Sequence, residues 1–585
     1  MQSFLKFNPA KIVLLTIILT AIALRLYGLD WDRGSHLHPD ERAIVMFTTA
    51  LEWPKNINEF FSPNSSWNPH FFAYGSFPIY LLKIAGDIGS IFNPTLGQYD
   101  GINLIGRFIS ALFDMGTLYV VFLIGKKLFN TKVGLLGAFF YGISVLPIQL
   151  SHFYAVDTPL TFFVMLTLWW LIHLYEKPSK KHAILAGIFF GLALATKVSA
   201  VVLFVSIGTA TVIDFLFIFL KNPHRPHSWL PHVPIFIKRL ITDGVIIFIT
   251  TIIVFAVVEP YAFIDFQTFL LHNMQQRQMT YDPFTFPYTL QYVGKIPYLY
   301  ELKNIFFWGQ GPILAILSFL GTLYVSYKTM KQWNSPSASL RAGRTMIILI
   351  FFFTYFLVVG KFAVGWIRYM LPLYPLLALF AALFALRLYV LIKDKLKMPA
   401  PLFMILNSLF IIFVLAWPLS FIHIYAQPNT RVLASQWINK NIPPNSIIAR
   451  EHWDDGLPIG GNVPYKILEL PIYEIADPIK KTQIYKTVQE ANYIIIASNR
   501  LYVPLQRLAQ NCQKWNLQEE RCAKNANKYY EKLFSGDMGY KKVAEFENPP
   551  TIPLFNIIIN DQNADESFTV YDHPKVIIFK NEKIY

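Results

Sequence analysis

Asp40, Glu41, Asp157 and Asp265 stand close to long apolar stretches, and a carboxylate at a membrane boundary has few uses. It can take a proton as a general base, hold a metal, or cap a helix start. Asp40 and Glu41 stand in the run His36-Leu37-His38-Pro39-Asp40-Glu41-Arg42. Asp157 opens Asp157-Thr158-Pro159, which also has the pattern of a helix N-terminus, so capping and chemistry both stay open for it. Cations accompany these acids. Lys197 interrupts the run Gly191-Leu192-Ala193-Leu194-Ala195-Thr196, and Arg368 begins Arg368-Tyr369-Met370-Leu371-Pro372, with Lys361 shortly before it. A Lys or Arg deep in a spanning helix costs about 2.5 to 3.5 kcal/mol, so each of these either snorkels to water or meets an anion. Cations and acids on one surface make a phosphate partner attractive.

The positioning elements follow from the apolar pattern. Stretches near 11–28, 105–125, 133–150, 159–175, 183–195, 198–220, 244–260, 310–327, 345–360, 369–392 and 402–425 each approach the roughly 20 residues needed to cross a bilayer. The expected fold is therefore a polytopic α-helical membrane protein with about 11 spans. Basic residues fall between alternate crossings: Lys6 and Lys11; Lys126, Lys127 and Lys132; Lys177, Lys180 and Lys181; Lys221, Arg225, Lys238 and Arg239; then Lys328, Lys331, Arg341, Arg344, Lys393, Lys395 and Lys397. Basic loops are retained in the cytoplasm. This predicts a cytoplasmic N-terminus, an extracytoplasmic C-terminal region, and all four acids on the outer side of the plasma membrane.

With 54% hydrophobic residues the chain is too apolar for an ordinary soluble protein. The net charge of +15 raises the question of nucleic acid, but residues 428–585 hold 19 Lys and Arg against 18 Asp and Glu. The excess lies in the membrane half, where it orients the protein, and no basic stripe interleaved with aromatics points to nucleic acid. The first apolar block runs into Arg25, Tyr27 and Asp30 without a small-residue cleavage site, which predicts an uncleaved anchor. Cys512 and Cys522, the two cysteines, fall in the segment expected outside, where pairing is permitted and free thiols remain open.

The chain divides into a membrane domain, 1–427, and an extracytoplasmic α/β domain, 428–585. Outer loop 30–104 is dense in Asp, His, Trp, Pro and Asn, and its apolar part, 77–92, is broken by Lys83, Gly86 and Asp87, as in a helix lying at the interface. Outer loop 261–309 is rich in Tyr, Phe, Gln and Pro, residues suited to the headgroup region. Beyond Gln427 the pattern predicts helices over 432–439 and 519–533 and buried strands over 446–450 and 493–497. Glu451-His452-Trp453-Asp454-Asp455 reads as a loop at a strand end or an acceptor site.

These residues carry a resemblance. Asp40-Glu41, then Asn68-Pro69-His70 leading to Tyr74-Gly75-Ser76-Phe77-Pro78, Arg107, Gly125-Lys126-Lys127-Leu128-Phe129, Asp157-Thr158-Pro159-Leu160, Thr196-Lys197 and Arg368-Tyr369-Met370-Leu371-Pro372 stand in one order. That order resembles GT-C type glycosyltransferases using polyprenyl-phosphate sugars, the group of the protein O-mannosyltransferases and lipid A aminoarabinose transferases. It spans roughly residues 10–390. The resemblance implies an enzyme, a hexosyl- or pentosyltransferase that moves a sugar with inversion from a polyprenyl-phosphate carrier to a hydroxyl of a protein, glycan or lipid acceptor. Asp40 matches the family's first-loop catalytic carboxylate and Asp157 its second acidic position, with Glu41 beside them. Lys197 and Arg368 suit the leaving phosphate, Arg through its bidentate geometry. Lys361, Arg107, His70 and Tyr74 are further substrate-binding candidates.

One departure concerns metal. Aminoarabinose transferases carry an acidic residue before the prolines, and Tyr74-Gly75-Ser76 lacks it. His36, His38, His70 and His152 offer ligands for a divalent metal without tight spacing. The rival function is a lipid-linked-sugar flippase or transporter, since intramembrane charges also mark substrate pathways. That reading predicts inverted repeats, which are not evident.

Overall fold

The computed structural model describes residues 9–221, 230–333, 339–395, 398–460, 463–552 and 554–583. Lys6, Arg225 and Lys397 of the orienting series lie outside these. The long elements of the membrane half are α1 (Pro9–Leu26), α2 (Pro39–Ala50), α3 (Phe77–Ser90), α4 (Tyr99–Leu128), α5 (Thr131–Gly142), α6 (Val145–Ser151), α7 (Asp157–Glu176), α8 (Lys180–Thr196), α9 (Leu203–Lys221), α10 (Val233–Val258), α11 (Phe266–Tyr281), α12 (Pro312–Trp333), α13 (Ser339–Gly360), α14 (Tyr374–Lys395) and α15 (Ala400–Ile422). A helix thus occupies each expected crossing. Among the described residues eight helices are long and apolar enough to span a membrane, nine if α5 and α6, bent by 59°, form one broken span. The expected crossing at 183–195 is a helix of 17 residues, and the one at 198–220 is divided between a turn over Val198–Val202 and α9. Length and composition therefore leave the count of about 11 spans unconfirmed. The chain is a multi-pass membrane protein.

The two ends of the bundle differ chemically. At one end Lys127 and Arg344 both reach Glu176, each at 2.5 Å, so the end of α4, the end of α7 and the start of α13 meet among basic residues. Asp157 starts α7 at the opposite end, and Lys197 follows the last residue of α8. The interior charge is neutralised locally: Arg25, fully buried, pairs with Asp114 and donates to the carbonyls of Ala21 and Gly142 at 3.1 and 2.9 Å. Without those partners a buried guanidinium would be strongly destabilising.

The C-terminal domain begins with α16 (Thr430–Asn441). It contains β1 (Ile447–Glu451), β2 (Lys466–Leu470), β3 (Tyr493–Ile496), β4 (Tyr540–Phe546), a hairpin of β5 (Thr551–Ile552) and β6 (Ile557–Ile558), and β7 (Val576–Asn581). The sheet order is β2-β1-β3-β7-β4; β2, β1 and β3 are parallel, and β7 is antiparallel to β3 and β4. All four positions of β3 are buried, which accounts for its unbroken apolar run Tyr493-Ile494-Ile495-Ile496. The expected helix over 519–533 divides at Ala523, whose φ is 51°, into a turn over Glu519–Arg521 and a helix over Lys524–Ser535. Cys512 and Cys522 are disulfide-bonded.

One segment of this domain enters the membrane half. Phe568 packs against Trp308, Trp417 and Phe421. Gln149 donates to the Phe568 carbonyl at 2.8 Å and to Asp572 at 3.0 Å, and the Tyr425 hydroxyl donates to Asp572 at 2.8 Å. These contacts bring Tyr571 over the start of α2, where its ring lies 4.3 Å from that of His38.

Candidate active site

Pro39 at the first turn of α2 fixes the backbone for a helix start, and His38 caps it, its Nδ1 accepting from the Glu41 N–H at 3.3 Å. His38 is wholly buried between Phe153 and Tyr571, and burial pushes its imidazole down to about 3, so it is neutral. Helical geometry turns the neighbouring carboxylates apart. Glu41 points inward: its oxygens accept from Arg107 Nη2 at 2.6 Å, Arg107 Nε at 3.0 Å and the Tyr154 N–H at 2.8 Å. Arg107 also binds Asp32 at 2.9 Å and the Leu29 carbonyl at 2.9 Å. Asp32, Glu41 and Arg107 are fully buried. Glu41 and Arg107, which the sequence suggests as catalytic and substrate-binding, therefore brace the first loop behind the site.

Asp40 faces the other way. Its carboxylate pairs with Arg368 and lies beside the Tyr74 hydroxyl. Arg368 Nε lies 3.8 Å from Asp157, and Lys197 Nζ donates to the other oxygen of Asp157 at 2.9 Å. The aromatic rings of Tyr369 and Trp366 lie 4.4 Å from the Lys197 ammonium and 5.5 Å from the Arg368 guanidinium, a cation–π arrangement. Burial pushes the Asp40 carboxyl up, but Arg368, helped by the Tyr74 hydroxyl and Lys197, more than offsets this and holds it below the ordinary carboxylate value. Gly75 makes the arrangement possible. Its N–H donates to the Thr196 carbonyl at 3.1 Å, and a Cβ there would stand 1.7 Å from the Ala195 carbonyl oxygen. Only a glycine lets the first loop pack so closely on the end of α8, which sets Tyr74 beside Lys197.

Two cavities meet at this cluster, sharing Tyr74, Gln276 and Tyr369. The smaller, of 210 Å³, holds Asp40 and Arg368 among Tyr288, Trp366 and Tyr571, with Arg500 from the C-terminal domain. The larger, of 270 Å³, holds Lys197 and Glu259 with Val198, Val201, Val359 and Phe362. Helix α11 forms a wall of it, presenting Asn273, Gln276, Arg277 and Thr280, which the i, i+3, i+4 spacing places on one face. The same helix leaves Phe266, Leu270, Leu271 and Met274 exposed.

The remaining candidates stand apart. His70 and Asp265 pair at 3.2 Å, with Asn68 bonded to both, and neither lines these cavities. Asp265 thus lies away from the Asp40 cluster. Lys361 is exposed beyond α13 and lines neither cavity. The polar run after β1 is a set of internal contacts: Glu451 accepts from Tyr530 at 2.7 Å, and Arg431 holds Asp454 and Asp455 at 3.1 and 3.0 Å. Among the described residues no three His, Cys, Asp or Glu side chains are grouped to hold a metal. The donor set does not fit a divalent ion, because Arg368 and Lys197 already fill the positions between Asp40 and Asp157.

Sequence reasoning missed Arg500, Tyr571, Tyr288, Gln276 and Glu259. Glu259 had a local signal, an acid at the end of an apolar run before Pro260, and α11 had its polar 3–4 spacing. Arg500 and Tyr571 had none, since the docking of a distant segment brings them in.

Residues 103–260, which include Arg107, Asp157, Lys197 and Glu259, match the family model described as dolichyl-phosphate-mannose-protein mannosyltransferase. The chain is similar in structure to the archaeal oligosaccharyltransferase AglB from Archaeoglobus fulgidus, solved with an inhibitory peptide and a dolichol-phosphate. The TM-score is 0.51 at 13% identity, over 99% of this chain and 89% of that one. The fold is of the GT-C type. More remote in structure are ArnT from Cupriavidus metallidurans bound to undecaprenyl phosphate (TM-score 0.43, 13% identity, 85% of this chain and 94% of that chain) and the Pmt1-Pmt2 complex of S. cerevisiae bound to the sugar donor (0.32, 14%, 46% and 35%). No curated protein matches the sequence.

Proposed function

We propose that this GT-C protein is an inverting glycosyltransferase that moves a hexose or pentose from a polyprenyl-phosphate carrier to an acceptor hydroxyl at the extracytoplasmic face of the plasma membrane. The observation that carries this reading is the junction of the two cavities, where one carboxylate, Asp40, meets two cations, Arg368 and Lys197. The larger cavity, apolar along Val198, Val201, Val359 and Phe362 and polar at Lys197 and Glu259, suits the lipid-linked sugar donor, and the smaller, which holds Asp40, suits the acceptor hydroxyl. Asp157 accepts from or faces both cations and so positions them; Tyr74 orients Asp40.

While Arg368 is paired with it, Asp40 is a weak base, because the guanidinium stabilises its charge. A donor phosphate offers the guanidinium a stronger, bidentate partner, and drawing Arg368 away returns basicity to Asp40. The acceptor oxygen then bonds to the anomeric carbon while its proton passes to Asp40. The bond from that carbon to the phosphate oxygen breaks, its electron pair leaving with the lipid phosphate, which Arg368 and Lys197 stabilise. Attack opposite the leaving group inverts the anomeric centre.

Purified protein in lipid, given radiolabelled polyprenyl-phosphate mannose, glucose or arabinose with a membrane extract as acceptor source, should yield labelled product of inverted configuration. Retention of configuration, or movement of intact donor across vesicles without product, would refute the proposal.

A further inference from the structure

Glu259 follows the last residue of α10 and is 1% exposed, yet it lines the larger cavity with Lys197, Tyr74 and Gly75. Ser76 lies beside it, but neither carboxylate oxygen has a partner in hydrogen-bonding geometry among the described residues. Leaving a buried polar group unsatisfied costs about 1–3 kcal/mol, and the helix C-terminus next to it adds negative potential. Burial pushes its carboxyl well above the ordinary value, with Ser76 offsetting only part of this. The group therefore meets the cavity as a neutral acid, one O–H donor with acceptor capacity to spare.

The chemistry of the cavity narrows what this acid can serve. An anion in the same space is better met by Lys197 and Arg277 than by a carboxyl. A group that both accepts and donates at short range is a hydroxyl. We propose that Glu259 is a specificity-determining residue that binds a ring hydroxyl of the donor's sugar, selecting a hydroxylated sugar over its deoxy analogue. The inference rests on the glycosyl-transfer reading and goes beyond it by naming the group that reads the sugar.

The test uses the full chain in lipid nanodiscs, with undecaprenyl phosphate and undecaprenyl-phosphate mannose, glucose and arabinose as titrants. Wild type should bind the bare lipid phosphate and bind one of the sugar-bearing lipids more tightly. In Glu259→Leu that preference should fall about tenfold, near 1.4 kcal/mol, with affinity for bare undecaprenyl phosphate unchanged. Glu259→Gln, which keeps a donor and an acceptor, should stay within about threefold of wild type, or ~0.7 kcal/mol. Removing an unpartnered acid should leave the unfolding temperature of Glu259→Leu equal or higher. As a check independent of the variants, monodeoxy donors titrated against wild type should show the same loss at one ring position. An unchanged preference in Glu259→Leu, or equal affinity of wild type for every monodeoxy donor, would overturn the inference while leaving the transferase reading intact. Failure of wild type to bind any of these lipids would overturn both.

Discussion

Asp40 and Glu41 are neighbours of one chemical type, and the fold gives them unlike work. Glu41 accepts three hydrogen bonds in a closed, fully buried network with Arg107. Glu41→Gln should therefore cost stability, about 3–5 kcal/mol as for other broken buried pairs, and a large fall in unfolding temperature would show it. Asp40 has a cavity on one side and Arg368 on the other. Arg368→Lys keeps the charge and loses the planar fork, so turnover should fall tenfold or more, about 1.4 kcal/mol or above, in a steady-state assay. Lys197→Met should weaken binding of undecaprenyl phosphate about 10- to 100-fold, the value of a charge-assisted hydrogen bond; unchanged affinity would leave Lys197 as a partner of Asp157 alone. The sequence carried the types and spacing of Asp40, Asp157, Lys197 and Arg368. It could not show which carboxylate faces the cavity, because that depends on the position of Arg107 on α4, 66 residues away.

At the scale of elements, apolar length was legible: each expected crossing is a helix. Close approach was not. Gly75 reads as an ordinary loop glycine until the end of α8 lies against it, where an added Cβ would overlap the Ala195 carbonyl. Gly75→Ala should force the first loop off α8 and separate Tyr74 from Lys197, lowering both the unfolding temperature and donor affinity; a fully active, equally stable variant would contradict this. Strand β1 supplies a pH dependence. Burial pushes Glu451 up to about 8, above its ordinary 4.5, so the folded state keeps a proton that the unfolded state releases. That contribution to stability is full below about pH 4.5 and is lost as pH rises toward 8. Glu566, pushed up to about 7 by burial, adds a decline over part of the same window. The unfolding temperature should thus drop between pH 5 and 8, and Glu451→Gln should flatten most of the drop.

The whole molecule places basic loops and the acidic cluster at opposite ends of one bundle. Single cysteines at Ser179 and Asn439, with the native pair held in its disulfide, should label from opposite sides of intact cells, Asn439 from outside; labelling of both from one side would refute the proposed topology. The strands of the sheet lie at Ile447 and beyond, but composition could not foretell that Phe568 and Tyr571 pack back against the membrane half, since that docking depends on contacts such as Gln149 with Asp572, 423 residues apart. The proposed active site is accordingly lined by both halves of the chain. In the proposed reaction Asp40 takes the acceptor proton once a donor phosphate has drawn Arg368 away. The most direct test is Asp40→Asn, purified and shown to melt like wild type, assayed in parallel for donor binding and for transfer. Donor affinity equal to or tighter than wild type, with transfer reduced about 10²- to 10⁴-fold, is the result the account predicts. Transfer at a rate near that of wild type would contradict it.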